Sequence, residues 1–188
     1  AEEVDAKCRK VLTYKYILGL ERKPFVKLSG LGTRINTPQT RDLISRLNLA
    51  AITVLNNKND VLPLHPDLKE AAILNVGKPE EIEPFDRKMK KYTSFARFQL
   101  RKDLPEAEQQ KLRDSLAAYR RVIVTVTEQR LAPYQSFFAK FAPESPVIYV
   151  FYTPAKSMLQ IQRAVSAAEA VVLAHDYRDD VQERVADL

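Results

Sequence analysis

Apolar residues recur at helical spacing through the first twenty positions. Val4, Cys8, Val11 and Leu12 are followed by Tyr16, Ile17 and Leu20, which predicts a helix with Gly19 as its stop signal. Residues 20–36 hold two of the four glycines and no sustained period, so they read as a traversing linker with a short contact segment at 25–28. Thr37-Pro38 then opens a second helix. Thr37 is placed to accept a backbone N–H as N-cap, and Pro38 loses nothing at the first helical position by lacking its own. Leu43, Leu47, Ala51 and Leu55, flanked by Ile44 and Val54, form its apolar face, and the polar run 56–60 ends it.

From residue 71 short apolar runs alternate with amphipathic stretches. Strands are predicted at 71–76, 93–100, 121–127, 147–152 and 170–174, with helices at 79–91, 105–119, 133–142 and 154–166 and another from Tyr177. This alternation predicts a mostly parallel sheet with helices on both faces, an α/β/α three-layer sandwich. AAILNV, VIVTV, VIYVFY and AVVLA are almost continuously apolar, as strands covered on both sides must be. TSFARFQL differs: Ala96, Phe98 and Leu100 face one way, Arg97 and Gln99 the other. A half-polar strand belongs at an edge. Because it is second in sequence, the expected order of the five strands is 2-1-3-4-5, as in flavodoxin-like folds.

Composition narrows the class without choosing a function. The 188 residues carry 30 Lys+Arg against 24 Asp+Glu, one Cys and no Trp. A chain of this size can bury about 70% of the surface its unfolded form exposes, enough for a real core. The lone Cys8 excludes an internal disulfide framework and a four-cysteine zinc site. Apolar runs fall short of the ~20 residues a membrane span needs, and the opening AEEVDAKCRKVL lacks the apolar stretch of a signal peptide.

Residues 87–102 concentrate seven basic groups without an acid, interleaved with Tyr92, Phe95 and Phe98. Such a stretch suits nucleic acid, with cations on phosphates and bases stacked on rings. A structural reading accounts for more of it. Glu80, Glu81 and Glu83 precede Lys88, Lys90 and Lys91, the charge order that a helix dipole favours, and the aromatics fall in the next strand. Nucleic acid is therefore not expected as a partner.

Ligands of an open parallel sheet bind beyond the strands' carboxyl ends. The residues there are Gly77-Lys78, Glu128-Gln129-Arg130, Thr153-Pro154 and His175-Asp176. One glycine before Lys78 is neither a dinucleotide fingerprint nor a P-loop. His175 and Asp176 suggest a base with its orienting carboxylate, but sequence neighbours rarely face each other, and Asp176 can instead cap the helix at Tyr177. Two histidines 110 residues apart offer no metal-ligand spacing. A receiver domain would need acids where Gly77-Lys78 and Thr127-Glu128 stand. Glu128 is the candidate catalytic group, as a general acid; paired with Arg130 it would be an ordinary surface carboxylate. Lys78, Arg130, His175 and Asp176 are the cleft-facing candidates. Neither a metal nor a cofactor is expected.

The order of motifs resembles glycoside hydrolase family 3. VLTYKYILGL (11–20) is similar to the last helix of that family's catalytic barrel, and RDLISRLNLAAITVLNNKNDVLPL (41–64) to the helix leading to its asparagine turn and Leu-Pro-Leu. AAILNVG (71–77) matches the first strand and glycine of its second, α/β sandwich domain. LRDSLAAYRRVIVTV, QRLAPYQSFF, SPVIYVFYTPAKSM and AEAVVLAHDYRDDVQERVADL resemble the successive helix–strand units that follow.

The resemblance implies a second domain, 37–188, preceded at 1–36 by a barrel remnant and linker. The parent would be a retaining glycosidase whose nucleophilic aspartate and Lys-His motif lie on the absent barrel. In the β-glucosidase branch a long loop of the second domain supplies a glutamate. The matching stretch here, 127–135, is short, and Gln129 stands where that branch has an aspartate. This agrees better with the β-N-acetylglucosaminidase branch, whose acid/base is a His–Asp pair on the barrel and whose second domain buttresses the barrel and walls the cleft. The expected partners are the missing barrel, the parent's carbohydrate substrate, and a second copy of the chain through exposed apolar surface. A periplasmic or extracellular parent is favoured over a cytoplasmic one.

Overall fold

The computed structural model describes residues 2–22, 27–64, 70–92, 94–141 and 145–188. Phe25 of the linker, His65, Thr93 and Ala142 lie outside the described residues. The chain forms two compact units, Ala1–Asp42 and Leu43–Leu188.

The first unit opens with α1 (Glu2–Ile17). Glu3–Lys7 and Asp5–Arg9 pairs one turn apart run along it. Gly19, at φ 70°, closes it as expected, its N–H donating to Tyr16 O at 2.9 Å. A short α2 (Leu31–Ile35) follows, and then α3 (Pro38–Ala51), which continues into the second unit. Thr37 caps α3: its Oγ1 accepts the Thr40 N–H at 3.1 Å.

Val54 and Leu55, expected on the apolar face of that helix, instead belong to a strand. β1 (Thr53–Asn57) runs antiparallel to the last strand of the sheet, with Thr53 opposite Leu173 and Asn57 opposite Ala170. Branched Ile52, Thr53 and Val54 favour extended backbone, and the free edge of the sheet supplies hydrogen-bond partners that a helix end would lack. Asn57 closes the segment by accepting the Leu62 N–H and donating to Leu62 O, both at 3.0 Å.

Next come β2 (Ala71–Val76), α4 (Glu83–Met89) behind a 3₁₀ turn, β3 (Ala96–Leu100), α5 (Glu106–Ala117) and β4 (Arg121–Val126). Then follow α6 (Gln135–Lys140), β5 (Val147–Phe151), α7 (Ala155–Leu159), α8 (Gln162–Ala167), β6 (Ala170–Leu173) and α9 (Asp179–Val185). Among the described residues the sheet has six strands rather than five, in the order β1-β6-β5-β4-β2-β3. The parallel part keeps the expected 2-1-3-4-5 order, and β1 extends it beyond β6. The helix expected at 154–166 is divided into α7 and α8.

Every residue of β2 and β6 is buried, and β4 and β5 are buried but for their first residues. One face carries Leu74, Val124, Tyr149 and Phe151 under α5, α6 and α8. The other carries Ile73, Ile123, Val150 and Tyr152 under α4 and α9. β3 is the half-exposed edge that its sequence indicates.

The basic stretch is largely tied into the domain. Arg87 pairs with Glu183, Lys88 with Asp187, Arg97 with Asp86 and Arg101 with Glu108. Phe95 is buried, Phe98 packs edge-on against Tyr119, and the Tyr92 hydroxyl donates to Asp187 at 2.6 Å.

Candidate functional site

The topology carries Lys78, Glu128, Arg130, His175 and Asp176 to one end of the sheet, the carboxyl end of its parallel strands. β2 and β4 are neighbours, so Gly77-Lys78 and Glu128 leave adjacent strands. β5 separates β4 from β6, which places His175-Asp176 two strands from Glu128, about 10 Å at the ordinary spacing.

Where β2 and β4 end, the crevice expected of a doubly wound sheet is filled by protein. The N–H groups of Thr127 and Glu128 both donate to Val76 O, at 3.0 and 3.2 Å, so the pairing continues past the last strand residues. Gly77 sits at φ 147°, and a Cβ there would lie 1.9 Å from Thr127 Oγ1. Only glycine fits this approach.

A buried polar network holds the Gly77-Lys78 loop. Asn75 donates to Gln99 Oε1 at 2.9 Å and to Lys78 O at 3.3 Å, and accepts from Thr125 at 3.3 Å. Gln99 donates to Gly77 O at 2.7 Å. Lys78 itself points to solvent, with Glu81 at 3.9 Å.

Glu128 does not pair with the Arg130 guanidinium. Its Oε1 accepts the backbone N–H of Arg130 at 3.0 Å, which turns the carboxylate into a brace of its own loop. The Arg130 side chain is exposed and makes neither a hydrogen bond nor an ion pair among the described residues. Burial, then the carboxylates of Glu128 and Asp103, push the nearby Tyr134 phenol up.

His175 and Asp176 do not form a dyad. His175 is exposed and sits at φ 65°. Asp176 is engaged by Arg178, accepting its backbone N–H at 3.0 Å and its Nε at 2.7 Å. The expected capping role also shifts. α9 begins at Asp179 with Arg178 as N-cap, and Asp176 shapes the turn before it.

Two glutamines that sequence reasoning did not single out organise this end. Gln160, between α7 and α8, accepts the Leu131 N–H and donates to Gln129 O, both at 2.9 Å. Gln182 of α9, 1% exposed, accepts the Phe85 N–H at 3.2 Å and donates to Glu81 O at 2.7 Å. Asn75 and Thr125 were detectable as polar interruptions in apolar strands. Gln160 and Gln182, on amphipathic stretches, carry no such signal.

Among the described residues no three His, Cys, Asp or Glu side chains gather so as to hold a metal ion. In the same residues no helix is long and apolar enough to cross a membrane. An apolar cavity of about 160 Å³ lies between α4, α9 and Leu62–Leu64, toward the amino ends of the strands and away from Glu128.

Fold and site thus define a doubly wound α/β/α domain with an added antiparallel edge strand and an end surface of dispersed polar groups. No protein-family model matches the chain, and no curated protein matches it. Solved structures do. A fungal multi-domain GH3 β-N-acetylglucosaminidase, described with a GCN5-related glucosamine N-acetyltransferase region, superposes with a TM-score of 0.61 at 15% identity, over 86% of this chain and 18% of that one. The β-glucoside phosphorylase BglX gives 0.63 at 15% identity, over 92% of this chain and 33% of its own. A β-glucosidase from Listeria innocua in complex with glucose gives 0.62 at 15%, over 94% and 28%. This chain therefore has the fold of a part of these proteins, among them one of the family that its motif order resembles. It spans a third or less of each.

Proposed function

We propose that the chain is the non-catalytic second domain of a retaining family 3 glycoside hydrolase, and that the parent's reacting groups lie on a barrel outside these residues. The observation that carries this reading is the use made of Glu128. Its carboxylate braces its own loop, and the other carboxylate among the strand-end candidates, Asp176, leaves the sheet two strands away and is held by Arg178. Retaining hydrolysis by a carboxylate pair needs the two groups about 5 Å apart. The share of the matched glycosidases that the chain spans supports the same division of labour. Lys78, Arg130 and His175 are then wall residues of a cleft completed by the barrel, and residues 1–36 are the barrel's last helix and the linker. The apolar residues exposed on α1 are the surface the barrel covers and, in the isolated chain, the surface through which two copies associate.

Incubating the purified chain with an aryl N-acetylglucosaminide and an aryl β-glucoside tests the central claim. No turnover above buffer is expected, and turnover that disappears in Glu128→Gln overturns it. The short 127–135 stretch with Gln129 supports a β-N-acetylglucosaminidase parent. The matched β-glucosidase supports the second reading, a β-glucosidase parent with Glu128 as acid/base. In the full-length parent, azide rescue of Glu128→Ala would select that second reading, and unchanged activity of the variant would exclude it.

A further inference from the structure

We infer that Gln160 is the positioning residue of the loop after β4, and that the group it positions is the Arg130 guanidinium, a hydrogen-bond donor for a neutral oligosaccharide. The second half of this inference rests on the cleft-wall reading above; the first does not. Residues 128–131 make a tight excursion whose ends are held by the backbone, the Glu128 N–H donating to Val76 O at 3.2 Å and the Tyr134 N–H to Leu131 O at 3.0 Å. Glu128 fixes the near side by accepting the Arg130 N–H. The far side is fixed from another element altogether: the Gln160 amide accepts from Leu131 and donates to Gln129, bracketing Arg130 from both sides.

Gln160 is itself held. Its N–H donates to Ser157 O at 3.1 Å, and its carbonyl accepts Gln135 Nε2 at 2.9 Å. Leu131, fully buried, anchors the loop's exit in the core. Both polar atoms of one side chain are thus spent on a four-residue loop, while that loop leaves one long cation projecting outward without a partner among the described residues. A guanidinium offers five N–H donors in a planar fork, suited to the hydroxyl and acetamido oxygens of a sugar. Fixing its backbone in advance removes ordering cost from binding.

The test uses the whole chain and three variants. Gln160→Leu removes both loop bonds, Gln160→Glu keeps an acceptor for Leu131, and Arg130→Met removes the cation. By hydrogen exchange, the Leu131 amide in Gln160→Leu should exchange about tenfold faster, the scale of one lost hydrogen bond, with β4 amides unchanged; Gln160→Glu should restore its protection. N,N′-diacetylchitobiose, followed by NMR, should shift the Arg130 Nε and Glu128 signals in the native chain. That response should fall several-fold in Gln160→Leu and vanish from Glu128 in Arg130→Met. Unchanged Leu131 protection in Gln160→Leu overturns the positioning role whatever the sugar does. A loosened loop in that variant, with no native response to the sugar, overturns Arg130 as a sugar donor and the cleft-wall reading with it, and leaves the clamp standing.

Discussion

Helices α1 and α5 invert the usual rule for what goes inside. α1 has sixteen residues and buries none of them, leaving Leu12 63% and Ile17 69% exposed. α5, with twelve, buries an arginine, leaving Arg113 only 7% exposed. The difference lies in the neighbours. α5 lies on a sheet face where Glu106 and Gln110 bond the guanidinium and the Phe137 ring stacks 5.5 Å from it. α1 is written with apolar residues at helical spacing but has nothing packed over them within its own unit. Periodicity shows that a residue is intended for cover; only a packed partner provides it.

The largest expected effect is on the covered side. Phe137→Ala, which empties the ring cluster with Phe138 and Phe141 and strips Arg113 of its stacking face, should cost about 3–5 kcal/mol in denaturant unfolding. A loss below 1 kcal/mol would show that this face is loosely packed after all. Gly77→Ala comes next. Its positive φ and the contact with Thr127 Oγ1 should cost about 1–3 kcal/mol, with the strongest NMR shifts at residues 127–130.

Asp187 sharpens the comparison through pH. Hydrogen bonds from Lys88 and then Tyr92 hold its carboxyl below the ordinary 3.8, so its contribution is fully present above that value and is lost as pH falls through the lowered one. Tyr92, raised above its ordinary 10.0 chiefly by the bond to Asp187, contributes below pH 10 and loses that contribution as pH rises through the raised value. Asp187→Asn should flatten the acid limb of a Tm–pH curve below about pH 4 and weaken the alkaline limb; unchanged limbs would remove the clamp between α4 and α9 from the stability of the fold. Smallest of all, Leu12→Ala on α1, measured on the chain diluted until two copies no longer associate, should move unfolding by no more than about 0.5 kcal/mol. A loss of 2 kcal/mol would mean that α1 is covered in the isolated chain and that the contrast with α5 fails.

The parallel strands were legible because burial on both faces leaves continuous apolar runs, and the β3 edge because Arg97 and Gln99 interrupt one. Thr37 and Gly19 worked as helix signals because capping is local. β1 was missed because Val54 and Leu55 complete a helical spacing as well as a strand, and the hydrogen bonds that decide between them belong to Leu173 and Ala170, more than a hundred residues away. At the candidate site, the strand-end positions of Lys78, Glu128, Arg130 and His175 could be read from the alternation of elements. The carboxylates' partners could not: Glu128 turns to a backbone N–H and Asp176 to Arg178, choices made by loop geometry.

By itself, then, the amino-acid order determined the layered α/β architecture, the succession of its parallel strands and the end of the sheet where polar groups gather. Each of these follows from short-range periodicity and from the burial that a covered sheet demands. Tertiary structure alone decided the sixth strand, the closed junction at Gly77 and Thr127, and the Gln160 clamp that leaves Arg130 facing outward. Those depend on groups meeting across long stretches of chain, and a hydrogen bond between distant residues leaves no mark in the local pattern of either.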